Sequence, residues 1–120
     1  MVKLRIRVNQ SSTIEEIAEV FENILNCGQK EVELNHLIKI VEALGGEYVT
    51  EKKSGKGSKE KFRHEILHND SFYCDGTFGI DRIHGGKENI KVRMEDVKRY
   101  IKPTINKIIV YKKLESEKCQ

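Results

Sequence analysis

The chain has little of what marks a secreted, disulfide-bonded or membrane protein. Its three cysteines, Cys27, Cys74 and Cys119, are an odd number, are widely spread, and form no Cys-x-x-Cys pair. This pattern predicts reduced thiols and gives no sign of a zinc centre. No apolar run is long enough to span a bilayer, and Met1–Val8 lacks the continuous apolar stretch of a signal peptide. We therefore expect a cytoplasmic protein with no membrane partner and no cofactor.

The net charge of +3 is also small, so the total charge does not identify a nucleic-acid partner. The distribution is more informative, because six basic residues and only one acidic residue, Glu60, lie between positions 52 and 63. The six are Lys52, Lys53, Lys56, Lys59, Lys61 and Arg63. Cations on extended segments can follow an RNA backbone through phosphate contacts, which makes this stretch a candidate RNA-binding surface. The alternative is a solvated hairpin tip with no partner.

With 120 residues and 38% hydrophobic content, the chain can bury one modest core. We predict a single α+β domain over residues 1–120. Within it, residues 1–30 form a strand and helix extension, 34–102 the core, and 103–120 a C-terminal extension.

Periodic apolar residues predict the first elements. Val2–Val8 alternates like an edge strand. Ser12 and Glu15 fit a capping box for a helix that ends near Gly28. A second helix should begin near Leu34 and end at Gly45-Gly46. The apolar faces of the two helices comprise Ile14, Ile17, Phe21, Ile24 and Leu25, and Leu34, Leu37, Ile38, Val41 and Leu44.

Three strands and a helix should follow. Tyr48–Lys52 and Lys61–Leu67 are predicted strands joined by a turn at Ser54–Ser58, and a third strand lies within Phe72–Ile83. A last helix covers Arg93–Lys102, and Pro103 ends it or begins a new element. Ile105–Tyr111 is rich in β-branched residues and could pair with the first strand, although a helix opened by Pro103 fits nearly as well.

The order helix, three strands, helix carries two local motifs. Gly57-Ser58 is followed by Phe62, and Arg82-Ile83-His84-Gly85-Gly86-Lys87 precedes the last helix. In this combination, residues 34–102 resemble the HicA toxins. The resemblance implies a fold like a double-stranded-RNA-binding domain with a three-stranded antiparallel sheet, cleavage of messenger RNA, and a HicB antitoxin as partner.

The chain departs from this family at the expected catalytic base. RNA-cleaving members usually have histidine directly after Gly-Ser, whereas this chain has Lys59-Glu60. A solvent-exposed Glu60 would be a weak substitute base. His84 is the best remaining candidate for proton transfer, with Arg82 and Lys87 as phosphate-binding cations. The alternative is that His84 ends its strand and the glycines only form a turn.

The other histidines and the aromatic residues favour structural roles. His64 shares a predicted strand face with Phe62, which indicates a satisfied core histidine. A zinc site made from His64, His68 and Cys74 lacks a fourth ligand. Phe72, Tyr73 and Phe78 could stack on bases if exposed, but aromatic residues in a small sheet more often fill the core.

Two classes of function therefore remain. The first is a HicA-like ribonuclease toxin, and the second is a non-catalytic RNA- or protein-binding module on the same fold. Lys59-Glu60 favours the second, whereas the Arg-x-His-Gly-Gly-Lys string favours the first. An open N-terminal edge strand could also template a homodimer or receive an antitoxin.

Overall fold

The computed structural model describes residues 8–49, 59–73, 75–84 and 90–118. The helices are α1 (Ile14–Leu25), α2 (Leu34–Ala43) and α3, which is α-helical at Met94–Asp96, π-helical at Val97–Ile101 and α-helical again at Lys102–Lys118. The strands are β1 (Glu31–Glu33), β2 (Glu47–Val49), β3 (Lys59–Arg63), β4 (Thr77–His84) and β5 (Lys91–Arg93). The predicted strand Val2–Val8, apart from Val8 itself, and the turn Ser54–Ser58 lie outside the described residues.

The strands form one open antiparallel sheet in the order β1-β5-β4-β3-β2. The α+β class is as expected, but the predicted three-stranded sheet is wrong in strand number. β1 and β5 extend the sheet, and each has three residues directly before a helix, too few for a period-two pattern to show. Two backbone hydrogen bonds join these junctions reciprocally, from Leu34 N–H to the Ile90 carbonyl and from Met94 N–H to the Lys30 carbonyl, both 2.9 Å.

One face of the sheet is buried and the other is open. In β3 and β4, Phe62 pairs with Phe78 and Glu60 pairs with Ile80, and all four side chains are buried. α2 contacts the edge strands β1 and β2, the π-helical segment of α3 contacts β4, and α1 packs against α2 and α3. The apolar layer between helices and sheet is therefore the core, since every strand contributes alternate residues to it.

The first helix begins one residue later than its predicted capping box. Thr13 is the N-cap, its hydroxyl accepts from Glu16 N–H at 3.1 Å, and the Glu16 carboxylate accepts from Thr13 N–H at 3.1 Å. Ser12 instead accepts a hydrogen bond from Asn9 N–H in the preceding turn. The register shifts because Ser-Ser-Thr followed by Glu-Glu allows two equivalent boxes, and only the one starting at Thr13 leaves Ser12 to close that turn.

The last helix is much longer than predicted, because Pro103 neither ends it nor starts a strand. The π-helical turn Val97–Ile101 ends two residues before Pro103 and widens the helix where the proline ring and the missing N–H would disrupt an α-helical turn. The Thr104 hydroxyl donates to the Tyr100 carbonyl at 3.2 Å. The strand interpretation of Ile105–Tyr111 is wrong, since Ile105, Ile108 and Ile109 are buried at helical spacing.

The second predicted central strand also ends early, at Arg63, because His64 leaves the sheet to cap a 3₁₀ turn at Glu65–Leu67. The His64 Nδ1 atom accepts from Ile66 N–H at 3.0 Å, so the proton must reside on Nε2, which donates to the Leu44 carbonyl at 2.7 Å. His64 is only 6% exposed. Its predicted role as a satisfied core histidine is confirmed.

His64 should make folding stability depend on pH. Burial lowers its pKa below the usual 6.5, only partly offset by the Leu44 hydrogen bond. The unfolded chain therefore binds the proton first, and stability falls as pH drops below 6.5, by at most about 1.4 kcal/mol per pH unit. Urea unfolding between pH 7.5 and 5.5 measures this slope.

His36, whose pKa is also lowered chiefly by burial, contributes in the same direction and must be separated. We expect His64→Gln to flatten the slope more than His36→Gln does. A His64→Gln variant with the full wild-type slope would contradict the assignment.

Gly76 provides a second test, of the turn that leads into β4. It has φ +74°, and an added Cβ would lie 2.5 Å from the His64 carbonyl oxygen. Gly28 has nearly the same φ, +80°, but open space around it. Gly28→Ala should lower the free energy of unfolding by about 1 kcal/mol through backbone strain alone. Gly76→Ala should lower it by about 2 kcal/mol more because of the clash. If chemical denaturation gave equal losses of unfolding free energy for the two variants, the close approach of Gly76 to the His64 carbonyl would be disproved.

Candidate functional site

The sequence-predicted site residues separate onto the two faces of the sheet. Lys61 and Arg63 point to the open face of β3, whereas Arg82 lies on the helix-covered side, at its rim. Lys59 and His84 are placed by strand position alone, at the start of β3 and the end of β4. Lys52, Lys53, Lys56 and Lys87 lie outside the described residues. Among the described side chains, Lys61 and Arg63 therefore lie on the opposite face from Arg82.

The open face balances its charges across neighbouring strands. Arg63 lies 3.6 Å from Glu47 and 3.6 Å from Asp75, and its Nε also donates to the Asp75 carbonyl at 3.2 Å. At the other edge, Glu31 pairs in register with Arg93, and Glu33 with Lys91. Cross-strand pairs of opposite charge are typical of a solvated sheet face. Arg63 is thus already held by two carboxylates and is a poor choice for a phosphate contact.

Three polar residues meet at the rim of the helix-covered face, and we name Tyr48, Glu60 and Arg82 the rim cluster. The Tyr48 hydroxyl donates a hydrogen bond to Glu60 Oε2. The Arg82 Nη1 lies 3.8 Å from Glu60 Oε1, an ion-pair distance too long for a hydrogen bond. Glu60 is only 8% exposed, which corrects the expectation of a solvent-exposed side chain. A carboxylate is therefore held beside a half-exposed guanidinium.

Tyr48 acts as a fixed donor in this cluster. Burial, together with the hydrogen bond to Glu60, raises the pKa of Tyr48 to about 12. The phenol thus keeps its proton over the whole physiological range, and its hydrogen bond holds one carboxylate oxygen in place. Such an arrangement can orient the second oxygen of Glu60 towards a ligand bound by Arg82.

Sequence reasoning missed Tyr48 as a site residue. It is on β2 and pairs with Phe62, so it shares a sheet face with Glu60, two residues along β3. Diagonal neighbours on one face lie within reach of a tyrosine side chain. The register of the β2–β3 pair would have revealed the contact, but the composition of residues 50–58 does not define that register.

The remaining histidines have local partners. His68 Nδ1 lies 2.7 Å from Asp75, and His36 lies 3.2 Å from Glu33. His64 would have to break one of its two hydrogen bonds to bind zinc, and Cys74 lies outside the described residues. Over residues 8–49, 59–73, 75–84 and 90–118, no group of three histidine, cysteine or acidic side chains is arranged to hold a metal ion.

The aromatic residues expected either to stack on bases or to fill the core differ in burial. Phe78 is buried and Phe72 is 80% exposed. Lys107 holds the loop of Phe72 against α3, since its ammonium lies 5.4 Å from the Phe72 ring centre and 3.1 Å from Asp70. The Tyr111 hydroxyl also donates to Asp70 at 3.0 Å. These contacts give the loop a structural role.

The comparisons with known proteins add no relative. No protein-family model, curated protein or solved structure matches the chain. In the part of the chain that the structure describes, no helix is long and apolar enough to cross a membrane. The function must therefore be argued from the site itself.

We expect a strong energetic coupling between Tyr48 and Glu60. Tyr48→Phe should destabilise the protein by about 1–3 kcal/mol, because it removes the donor from a buried carboxylate. The double variant Tyr48→Phe with Glu60→Leu should recover most of that loss, since an apolar pair no longer needs the hydrogen bond. Denaturant unfolding of both variants and of Glu60→Leu alone measures the coupling. Strictly additive losses would show that the two side chains do not interact.

Proposed function

We propose that the protein is an RNA-binding protein of the HicA-like toxin class that contacts RNA phosphates at the end of the sheet where the rim cluster lies. The observation that supports this proposal is the position of the strand ends in the sheet. β2 ends at Val49, β3 begins at Lys59 and β4 ends at His84, and antiparallel pairing brings these positions to one end of the sheet.

Both motifs of the resemblance are connected to this end. Residues 50–58, with Lys52, Lys53 and Lys56, join Val49 to Lys59, and residues 85–89, with Lys87, follow His84. Arg82 is a half-exposed cation at the same end, on the helix-covered face. A guanidinium at this end suits a phosphodiester chain, because it binds phosphate through paired hydrogen bonds.

The element order supports the proposed fold relationship. α2, β2, β3, β4 and α3 follow the helix, three-strand, helix order, with β5 inserted before α3 and β1 placed before α2. We interpret this as a double-stranded-RNA-binding-domain-like core with two added strands. Membership in the toxin class implies a HicB-like antitoxin as the protein partner, which would neutralise the toxin by covering this end of the sheet.

Binding without cleavage is the second candidate function. Lys59 and Glu60 directly follow Gly-Ser, where the RNA-cleaving toxins that the sequence resembles have histidine, and Glu60 accepts a hydrogen bond from Tyr48. A site of this kind could hold RNA and leave it intact. The homodimer considered from the sequence depended on Val2–Val8 and has no support from the described residues.

Arg82 offers the direct test of RNA binding. Arg82→Gln should weaken binding of a fluorescent single-stranded RNA about ten-fold and reduce the slope of log affinity against log salt by about 0.7. Fluorescence anisotropy at several salt concentrations measures both quantities. Arg99→Gln is the matched control, because Arg99 is exposed on α3 beside Tyr100 and does not belong to the rim cluster.

The control should bind RNA as wild type does. Two results would contradict the proposal. One is a wild-type protein with no salt-dependent RNA binding, and the other is an Arg82→Gln variant as tight as its Arg99→Gln control.

A further inference from the structure

The exposed apolar side chains of the described residues are concentrated on the outer face of α3. Among residues 8–49, 59–73, 75–84 and 90–118, four large hydrophobic residues are exposed. Tyr100, Val110 and Leu114 are on α3, and the fourth, Phe72, is 80% exposed and lies against this helix. Single exposed apolar residues are normal on a protein surface, whereas several on one surface mark an interaction site.

The exposed residues of α3 have the spacing of a surface that pairs with another helix. Five positions are separated by three, four, three and four residues, which places their side chains in one stripe along the helix. The same alternation of three and four defines the packing seam of a coiled coil. We name these five residues the α3 seam: Tyr100, Pro103, Lys107, Val110 and Leu114.

Phe72 borders the α3 seam and is held there by its neighbours. Its backbone N–H donates to the Asp70 carboxylate at 3.0 Å, and its ring centre lies 5.4 Å from the Lys107 ammonium. The Tyr73 ring packs edge-on against Phe72, and the Tyr73 hydroxyl lies 2.9 Å from the Thr104 hydroxyl. The loop is thus tied to α3 while its largest apolar side chain stays exposed. An aromatic ring positioned in advance suits the role of a binding anchor, because little entropy is lost when a partner covers it.

The helix around the seam is basic. Residues 97–114 contain six basic residues and no acidic residue. Arg99, Lys102 and Lys113 each precede a seam residue by one position, so they line one side of the seam. Thr104 and Tyr111, each one position after a seam residue, contact the loop of Phe72 on the other side. The seam therefore has an aromatic loop along one side and a row of cations along the other.

We propose that the α3 seam docks an acidic amphipathic helix of a partner protein. The seam spacing indicates a helical partner, whose apolar face would cover Phe72, Val110 and Leu114. The row of cations indicates that the partner carries carboxylates on the facing side. From Tyr100 to Leu114 the seam extends over about 21 Å at 1.5 Å per residue, which matches about four turns of a partner helix.

A second copy of the chain is a poor occupant of this surface. Two copies paired through the same seam would bring the row of cations on one copy close to the same row on the other, and like charges in contact oppose association. The inference also does not depend on RNA binding at the rim cluster, since no residue of that cluster belongs to the seam.

The test uses the full-length protein and a fluorescent synthetic peptide of about three heptads, with leucine at the seam positions and glutamate beside them. A control peptide has the same composition in an order that breaks the heptad spacing. Fluorescence anisotropy at several salt concentrations measures both affinities. We expect the heptad peptide to bind at least about ten-fold more tightly than the control, and its affinity to fall as salt screens the ion pairs.

Variants of the protein locate the binding surface. Phe72→Ala should weaken peptide binding about ten-fold because it removes the anchor. Lys113→Glu should weaken it about five-fold because it replaces an attraction with a repulsion. Lys39→Glu is the matched control, since Lys39 is an exposed lysine on α2, and it should bind the peptide as wild type does. A thermal unfolding scan establishes that the three variants are folded.

Three results would overturn the proposal. One is equal affinity for the two peptides, or Phe72→Ala and Lys113→Glu variants that bind as tightly as wild type. The second is a wild-type dimer in sedimentation that Phe72→Ala dissociates, which would assign the seam to a second copy. The third is displacement of the peptide by single-stranded RNA together with weaker RNA binding by Phe72→Ala, which would assign the seam to RNA.

Discussion

The pairing of β3 with β4 is the constraint on which the rest of the structure depends. Its register places Phe62 against Phe78 and Glu60 against Ile80 on one face, and puts Lys61 and Arg63 on the other. Because side chains alternate along a strand, a slip of one residue would bury the cations and expose the aromatic core. One register therefore defines the hydrophobic core, the charge-balanced open face and the rim cluster together.

Glu60 belongs both to the buried face of β3 and to the rim cluster. At the other end of β3, the chain turns away at His64, whose ring joins the 3₁₀ turn to the end of α2 through Ile66 and Leu44. These contacts anchor β3 at one end with uncharged groups. The opposite end carries the buried carboxylate of Glu60 and the half-exposed Arg82.

Much of the fold was predictable because the signals were local. Ile17, Phe21 and Ile24 mark α1 at helical spacing, and Gly45 ends α2 with φ +94°. β1 and β5 escaped prediction because their stability comes from pairing with each other. The end of the last helix was predicted wrongly at Pro103. The π-helical turn that accommodates this proline packs against β4, and no short stretch of sequence contains both segments.

The site was predictable only in part, for the same reason. Arg82 was predicted as a phosphate-binding residue from its place in a local motif, but the partnership of Tyr48 with Glu60 depends on the register between β2 and β3, which no local motif contains. The most direct test of the account is an NMR titration with a single-stranded RNA oligonucleotide, which would reveal where RNA binds. The account predicts that amide shifts concentrate at Tyr48, Glu60 and Arg82, with little change at Arg63, Lys91 and Arg93. Shifts confined to those open-face residues would contradict it.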